Sequence, residues 1–296
     1  MERIEHPEWI LSAQEHLDDG KFNWRSDVKF PGYIAAKKWY PFGFCNALTH
    51  EIDGVFSNAW CATDDPDTFK KNLHKQPAGW HYRNKSIEYL VNNSGFRTRE
   101  WNRIDWKNSI VLFGCSNTFG VGLAEDETIS SAIEQVTGKY CVNLGIPAAS
   151  NQLILNNCAA LSERFGTPYG VVINWTSPNR FRHYNSHGYS DLGQWDAPPN
   201  PTTTIEGQNV SKLWADVFFN STNELAMNYY TAQAARAMWA HRTNYITLSY
   251  FRETARQTRS DQWFEIDNQA RDCIHPGRSN SLQIANFVAR KLEENG

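Results

Sequence analysis

No stretch of the 296-residue chain approaches 18 consecutive apolar residues, so no segment reads as a membrane-spanning helix. A basic surplus is missing too: 29 Lys and Arg stand against 32 Asp and Glu, a formal net charge of -3. Wrapping a phosphate backbone needs a concentrated positive surface. The densest basic group, Lys70, Lys71, His74 and Lys75, reads as a solvated face, so nucleic acid is not expected as a partner. The six cysteines, at 45, 61, 115, 141, 158 and 273, are too sparse for a disulfide scaffold, and none has the spacing of a metal knuckle. The start, MERIEHPEW, lacks the basic-then-apolar pattern of a secretory leader. Together these absences imply a reducing, cytoplasm-like compartment.

What the chain has in surplus is tryptophan, twelve in all, seven of them before residue 107. An indole either stacks on flat ligands such as sugars or plugs an irregular interior, and composition leaves both open. Residues 1–105 hold short apolar pieces broken by Pro, Gly, Asp and Asn, with short helices expected at Tyr33 to Lys38 and Pro66 to His74. This part reads as an ordered, aromatic-rich extension laid on a main domain at 106–296.

From residue 108 the pattern changes. Ser109 to Phe113 is a compact apolar run without strict alternation and Gly170 to Trp175 a nearly continuous one, as expected of strands covered on both faces, and Tyr140 to Asn143 and Tyr245 to Tyr250 are further strand candidates. Between them lie helical patterns. One carries Ile129, Ala132, Ile133 and Val136, opens on the acidic Glu125 to Glu127 and ends at Gly138. A second begins at Ser150 as N-cap, a third runs from Ser221 to about Ala240, and a closing helix bearing Leu282, Ala285, Val288 and Leu292 is capped by Ser281. Strands alternating with helices predict βαβ units: an α/β class, three-layer α/β/α, flavodoxin-like core with a mostly parallel sheet. Residues 176–212, rich in Pro, Gly, Asn and Ser, read as an insert.

Two segments carry chemistry. In Phe113-Gly-Cys-Ser-Asn-Thr-Phe-Gly-Val-Gly122 a serine follows an apolar strand and a glycine and precedes a helix, a corner that presents Ser116 Oγ to a ligand. The segment is neither G-x-S-x-G nor a complete dinucleotide fingerprint. In Asp272-Cys-Ile-His275-Pro276 a carboxylate and an imidazole three positions apart can share one turn, the Asp holding one ring nitrogen while the other faces a nucleophile.

From Tyr89 to the C-terminus the order of these pieces resembles the SGNH, or GDSL-like, serine hydrolase superfamily. Gly114-Cys-Ser116 looks like its first block, Asn143-Leu-Gly145 its second, Ser177-Pro-Asn179-Arg180 its third and Asp272 to Pro276 its last. Asn92-Asn-Ser-Gly-Phe-Arg97 resembles the lead-in found in some members. The resemblance implies Ser116, His275 and Asp272 as catalytic residues. It implies an oxyanion hole formed by the N–H groups of Ser116 and Gly145 and the amide of Asn179. Cys115 stands where the family has Asp, and Ser177 and Arg180 replace the Gly and Asp that flank the family's Asn. Residues 1–88 lie outside the resemblance. Asn117, Arg180, His183 and Trp195 are expected at a substrate mouth shaped by the extension and the insert. The implied activity is cleavage of a carboxylic ester, with an O-acetyl ester of a carbohydrate as the specific candidate, and it needs no cofactor and no metal. An acyltransferase with the same residues, or a catalytically silent binding or assembly protein, are the alternatives.

Overall fold

The computed structural model describes residues 56–185, 188–192, 204–205, 208–209 and 221–295. In chain order the elements are β1 (Phe56–Asn58), α1 (Pro66–Leu73), β2 (Tyr89–Val91), β3 (Ile110–Gly114), α2 (Ser116–Phe119), α3 (Ile129–Thr137), β4 (Cys141–Gly145), α4 (Asn151–Arg164) and β5 (Gly170–Trp175). There follow β6 (Phe181–Asn185), β7 (Gly188–Leu192), β8 (Thr204–Ile205), β9 (Gln208–Asn209), α5 (Ser221–Trp239), β10 (Asn244–Ser249), α6 (Arg252–Thr258), β11 (Gln262–Trp263) and α7 (Arg278–Asn295).

Five strands form one parallel sheet in the order β11-β10-β5-β3-β4. Renumbered within the sheet, that is the order 2-1-3-4-5 of a doubly wound fold, with its switch point between β3 and β5. The apolar run of β3 divides between the two faces because successive side chains of a strand point opposite ways. Val111 and Phe113 join Val142, Leu144, Val171 and Ile173 beneath α4 and α5, against Leu153, Ile154, Cys158, Ala235 and Trp239. Ile110 and Leu112 join Val172, Ile246 and Leu248 beneath α3 and α7, against Ile133, Ile284, Ala285 and Val288. Burying each such side chain contributes about 1.5–3 kcal/mol relative to leaving it exposed. The result is three layers, α/β/α, as the alternating patterns predict.

Local signals explain most boundaries. Gly138, at φ 67°, ends α3, and the Ser150 hydroxyl caps α4 by accepting from Leu153 N–H at 3.2 Å. Glu125–Glu127 form a separate 3₁₀ turn, and Thr128 is the N-cap of α3, accepting from Ser131 N–H. Two expectations need correcting. Ser281 does not cap the closing helix: α7 begins at Arg278, directly after Pro276-Gly277, and the Gly277 carbonyl accepts from Asn280 and Ser281 N–H. Val136 and Leu282 are exposed rather than facing the core.

The part of the extension that is described is ordered around its own short β1–β2 ribbon and α1, with Asp65 capping α1. Tyr82, Ile87, Tyr89 and Val91 pack with Phe119, Val121, Leu123 and Ala270, which flank the two chemistry-bearing segments. Tyr33 to Lys38 lie outside the described residues.

Candidate active site

The chain leaves β3 at Gly114, turns at Cys115 and starts α2 at Ser116. A Cβ at Gly114 would lie 2.0 Å from Thr118 Oγ1 and 3.0 Å from the Asn174 carbonyl, so only glycine lets the helix fold back this tightly. Cys115 turns into the apolar layer with Phe113, Leu144 and Trp175, which removes its thiol from the surface, and Ser116, itself buried, turns its hydroxyl toward His275. Ser116 is the first residue of α2, so its N–H has no acceptor within the helix.

Side chains from the neighbouring strands pin this helix. Asn143 Nδ2 donates to the Thr118 carbonyl at 3.0 Å, and Asn174 Nδ2 donates to Thr118 Oγ1 at 3.1 Å. Gly145 closes β4 beside them: a Cβ there would sit 2.3 Å from the Phe119 nitrogen. The Gly145 N–H donates to Asn143 Oδ1 at 2.9 Å and is thereby taken up, which departs from the oxyanion role expected of it. Its glycine is instead required by the close approach of α2.

The acid–base pair arrives on the loop between β11 and α7. Ala270 N–H donates to the His275 carbonyl and Gly277 N–H to the Asn268 carbonyl, folding residues 268–277 into a narrow turn with Cys273 at φ 58°. Arg271 N–H donates to the Gly122 carbonyl at 3.0 Å, and a Cβ at Gly122 would collide with Ala270 and with the Arg271 nitrogen. Thus the glycine-containing loop after α2 is the seat of the acid–base turn.

The structure brings Ser116, His275 and Asp272 into one hydrogen-bonded line. His275 Nε2 lies 2.7 Å from Ser116 Oγ, and His275 Nδ1 lies 2.6 Å from Asp272 Oδ2. Asp272 is fully buried, and its other oxygen accepts from the N–H groups of Ile274 and His275, each at 3.0 Å. Burial alone pushes this carboxyl up, but the hydrogen bonds and charge of His275 and the Thr63 hydroxyl outweigh it and hold Asp272 below the usual carboxylate value. With Nδ1–H given to the carboxylate, Nε2 is left to accept from the serine hydroxyl.

Of the other expected residues, Asn179 lies four positions beyond β5, half-buried, its Oδ1 accepting from the Ser177 hydroxyl. Arg180 Nη1 donates to the Ala149 carbonyl at 3.3 Å. Asn117 is half-buried beside Ser116, and His183 lies within β6. Trp195 falls outside the described residues. Most of the described tryptophans are engaged in packing: Trp175 and Trp239 are fully buried, Trp106 stacks on Phe165 at 3.9 Å, and Trp60 lies under Arg271 at 4.0 Å.

Sequence reasoning missed a set of contacts from the extension. Thr63 Oγ1 donates to Asp272 Oδ2 at 2.6 Å, and Asn72 Nδ2 donates to the Asp272 carbonyl at 3.1 Å. Arg271 Nε and Nη2 donate to Asp64 at 2.8 and 2.6 Å, and the Tyr89 hydroxyl donates to Asp64 at 2.5 Å. The only signal at the sequence level is that Arg271 adjoins Asp272 and that Asp64 opens an acidic run; nothing local pairs them. The lead-in segment also has a structural job. Buried Arg97 donates to the carbonyls of Gly120 and Leu123 and to Glu125, bracing the same loop.

No family model and no curated protein matches the chain. Solved structures of a GDSL-family lipolytic protein and of carbohydrate esterases align with parts of the chain. Among solved structures, a protein named for the lipolytic G-D-S-L family from Desulfitobacterium hafniense aligns at 14% identity with a TM-score of 0.37, over 62% of this chain and 99% of that one. An acetyl xylan esterase from the rumen bacterium Butyrivibrio proteoclasticus aligns at 10% identity and TM-score 0.36, over 71% and 68%. A carbohydrate esterase family 2 enzyme with a carbohydrate-binding domain from Myceliophthora fergusii aligns at 13% identity and TM-score 0.35, over 64% and 66%.

Proposed function

We propose that this protein is a serine hydrolase that cleaves a carboxylic ester through an acyl-enzyme. One observation carries the reading: Ser116 Oγ, His275 and buried Asp272 form a continuous hydrogen-bonded series at the carboxyl edge of the sheet, beside its switch point. In this reading His275 Nε2 takes the Ser116 proton as Oγ attacks the acyl carbon. Asp272 keeps the imidazole in the useful tautomer and offsets the charge of the imidazolium. The carbonyl oxygen, as it becomes negative, is received by Ser116 N–H and by the Asn179 amide, whose Nδ2 keeps its donors when Oδ1 accepts from Ser177. His275 then gives its proton to the departing alkoxide, and water, deprotonated by the same nitrogen, releases the acid and restores Ser116.

Exposure of the intact protein to a fluorophosphonate probe, followed by peptide mapping, tests this. Label on Ser116, lost in Ser116→Ala and in His275→Ala at unchanged melting temperature, is the expected result. A wild-type protein that stays unlabelled, or is labelled elsewhere, overturns the reading. The finer proposal, an O-acetyl ester on a carbohydrate, is tested by comparing release of acetate from acetylated saccharides with release from simple alkyl acetates.

A further inference from the structure

We infer that Thr63, from the segment that precedes the hydrolase-like core, is a positioning residue that holds the Asp272 carboxylate in line with His275 and Ser116. The inference rests on the ester-hydrolase reading above and adds to it a residue that no block of the resemblance contains. Thr63 Oγ1 donates to Asp272 Oδ2 at 2.6 Å, the same oxygen that receives His275 Nδ1, and lies 3.4 Å from that nitrogen. Asp272 thus accepts four hydrogen bonds, two on each oxygen. The Thr63 bond is the one that comes from a side chain outside the acid–base turn. Without it Oδ2 keeps only its bond to the imidazole, and the carboxylate is oriented solely from within its own turn, by His275 Nδ1 and by the N–H groups of Ile274 and His275 on the other oxygen.

The way Thr63 is presented argues that the contact is built. Residues 61–64 form a turn closed from both ends, with Cys61 N–H donating to the Asp64 carbonyl at 2.9 Å and Asp64 N–H to the Cys61 carbonyl at 3.0 Å. Ala62 within it has φ 54°, a left-handed conformation that a residue with a Cβ adopts only when its surroundings require it. The next residue, Asp64, is fully buried and clamped by both Arg271 and Tyr89. Arg271 directly precedes Asp272, and Asn72 of α1 holds the Asp272 carbonyl. The preceding segment therefore grips this turn at several points, and Thr63 is the one that touches the carboxylate.

Three substitutions in the full chain separate positioning from packing. Thr63 is exposed apart from its hydroxyl contact, so none of them opens a core cavity. Thr63→Val keeps the shape, removes the donor and obstructs a replacing water; Thr63→Ala removes the donor but admits water; Thr63→Ser restores the hydroxyl. The readouts are the second-order rate of fluorophosphonate labelling at Ser116, kcat and KM on p-nitrophenyl acetate, and melting temperature. Thr63→Val should lose about 10- to 100-fold in labelling rate and kcat, the range set by one hydrogen bond to a charged group, with KM and melting temperature unchanged. Thr63→Ala should lose less, and Thr63→Ser should be near wild type. A packing role gives the opposite order, with valine mildest. Wild-type labelling of Thr63→Val, or losses that follow melting temperature, would overturn the inference while leaving the hydrolase reading intact. An unlabelled wild-type protein would overturn both.

Discussion

Replacing Asp64 with alanine strands the guanidinium of Arg271 inside the protein. Asp64 is fully buried and Arg271 is 4% exposed, and two charge-assisted bonds of 2.8 and 2.6 Å join them. Removing one partner of a buried pair costs about 3–5 kcal/mol, because the remaining charge keeps its desolvation penalty and loses its compensation. The Tyr89 hydroxyl loses its acceptor in the same step, which places the cost in the upper part of that range. Two contacts survive for Arg271, the Ala59 carbonyl at 2.7 Å and the face of Trp60 at 4.0 Å, and they limit the loss without cancelling it. At about 2–4 °C per kcal/mol for a domain of this size, a cost of about 4–5 kcal/mol should lower the melting temperature by about 8–20 °C.

The assay is thermal unfolding of Asp64→Ala, Arg271→Met and the double variant Asp64→Leu/Arg271→Met. Either single change should destabilise strongly, and the double change should recover most of the loss, because two apolar groups of similar size leave no buried charge unpaired. A melting temperature for Asp64→Ala within about 2 °C of wild type would refute the reasoning, since it would mean that the pair is not desolvated as described. A double variant no better than the worse single would refute the electrostatic part of it and point to packing instead.

Two further outcomes are expected. Gly145→Ala should push α2 away from β4, because its Cβ would lie 2.3 Å from the Phe119 nitrogen; a displacement near 1 Å at the nucleophile lowers labelling of Ser116 by about 10²-fold, and an unchanged rate would show that the helix has room. Asp272→Asn should remove an acid-dependent part of stability: the folded carboxyl titrates below its unfolded value, so its contribution is complete above the usual carboxylate range and is lost as pH falls through the lower, folded value. Unfolding free energy followed through the acid range should therefore fall less steeply in Asp272→Asn than in wild type, and identical slopes would contradict the assigned direction.

The sheet was legible because burial on both faces leaves a mark that needs no partner to read. Ile110 to Phe113 is apolar throughout, Gly170 to Trp175 is nearly so, interrupted by Asn174, and the glycine and cap at Gly138 and Ser150 punctuate the helices locally. The hydrogen bond between Asp272 and His275 was legible because the two residues share one turn. Leu282 misled because one apolar residue at helical spacing says nothing about which side of the stripe it occupies; α7 turns Ile284, Ala285 and Val288 inward and leaves Leu282 at the surface. Gly145 misled differently. Its position at the end of β4 was readable, but whether its N–H is open depends on the rotamer of Asn143 two residues earlier. The contacts of Thr63 and Asp64 were not legible at all, because they join positions about 200 residues apart through side chains that carry no periodic signal.

Those long-range contacts close a ring that bears on what the preceding segment is for. Gly122 N–H donates to the Tyr89 hydroxyl, which donates to Asp64; Asp64 accepts from the Arg271 side chain, and Arg271 N–H returns to the Gly122 carbonyl. The ring passes once through the loop after the serine helix, once through the turn that carries Asp272 and His275, and twice through residues before β3. Both loops lie at the edge of the sheet, where backbone groups have no ladder to satisfy them, so their spacing has to be set by something other than strand pairing. A hydrogen bond of 2.7 Å between Ser116 and His275 tolerates little drift between those loops. The extension supplies the bracing: Tyr89 and Asp64 tie the serine loop to the acid–base turn. The described part of the extension thus contacts the Asp272 carboxylate and ties together the loop after Ser116 and the turn that carries Asp272 and His275.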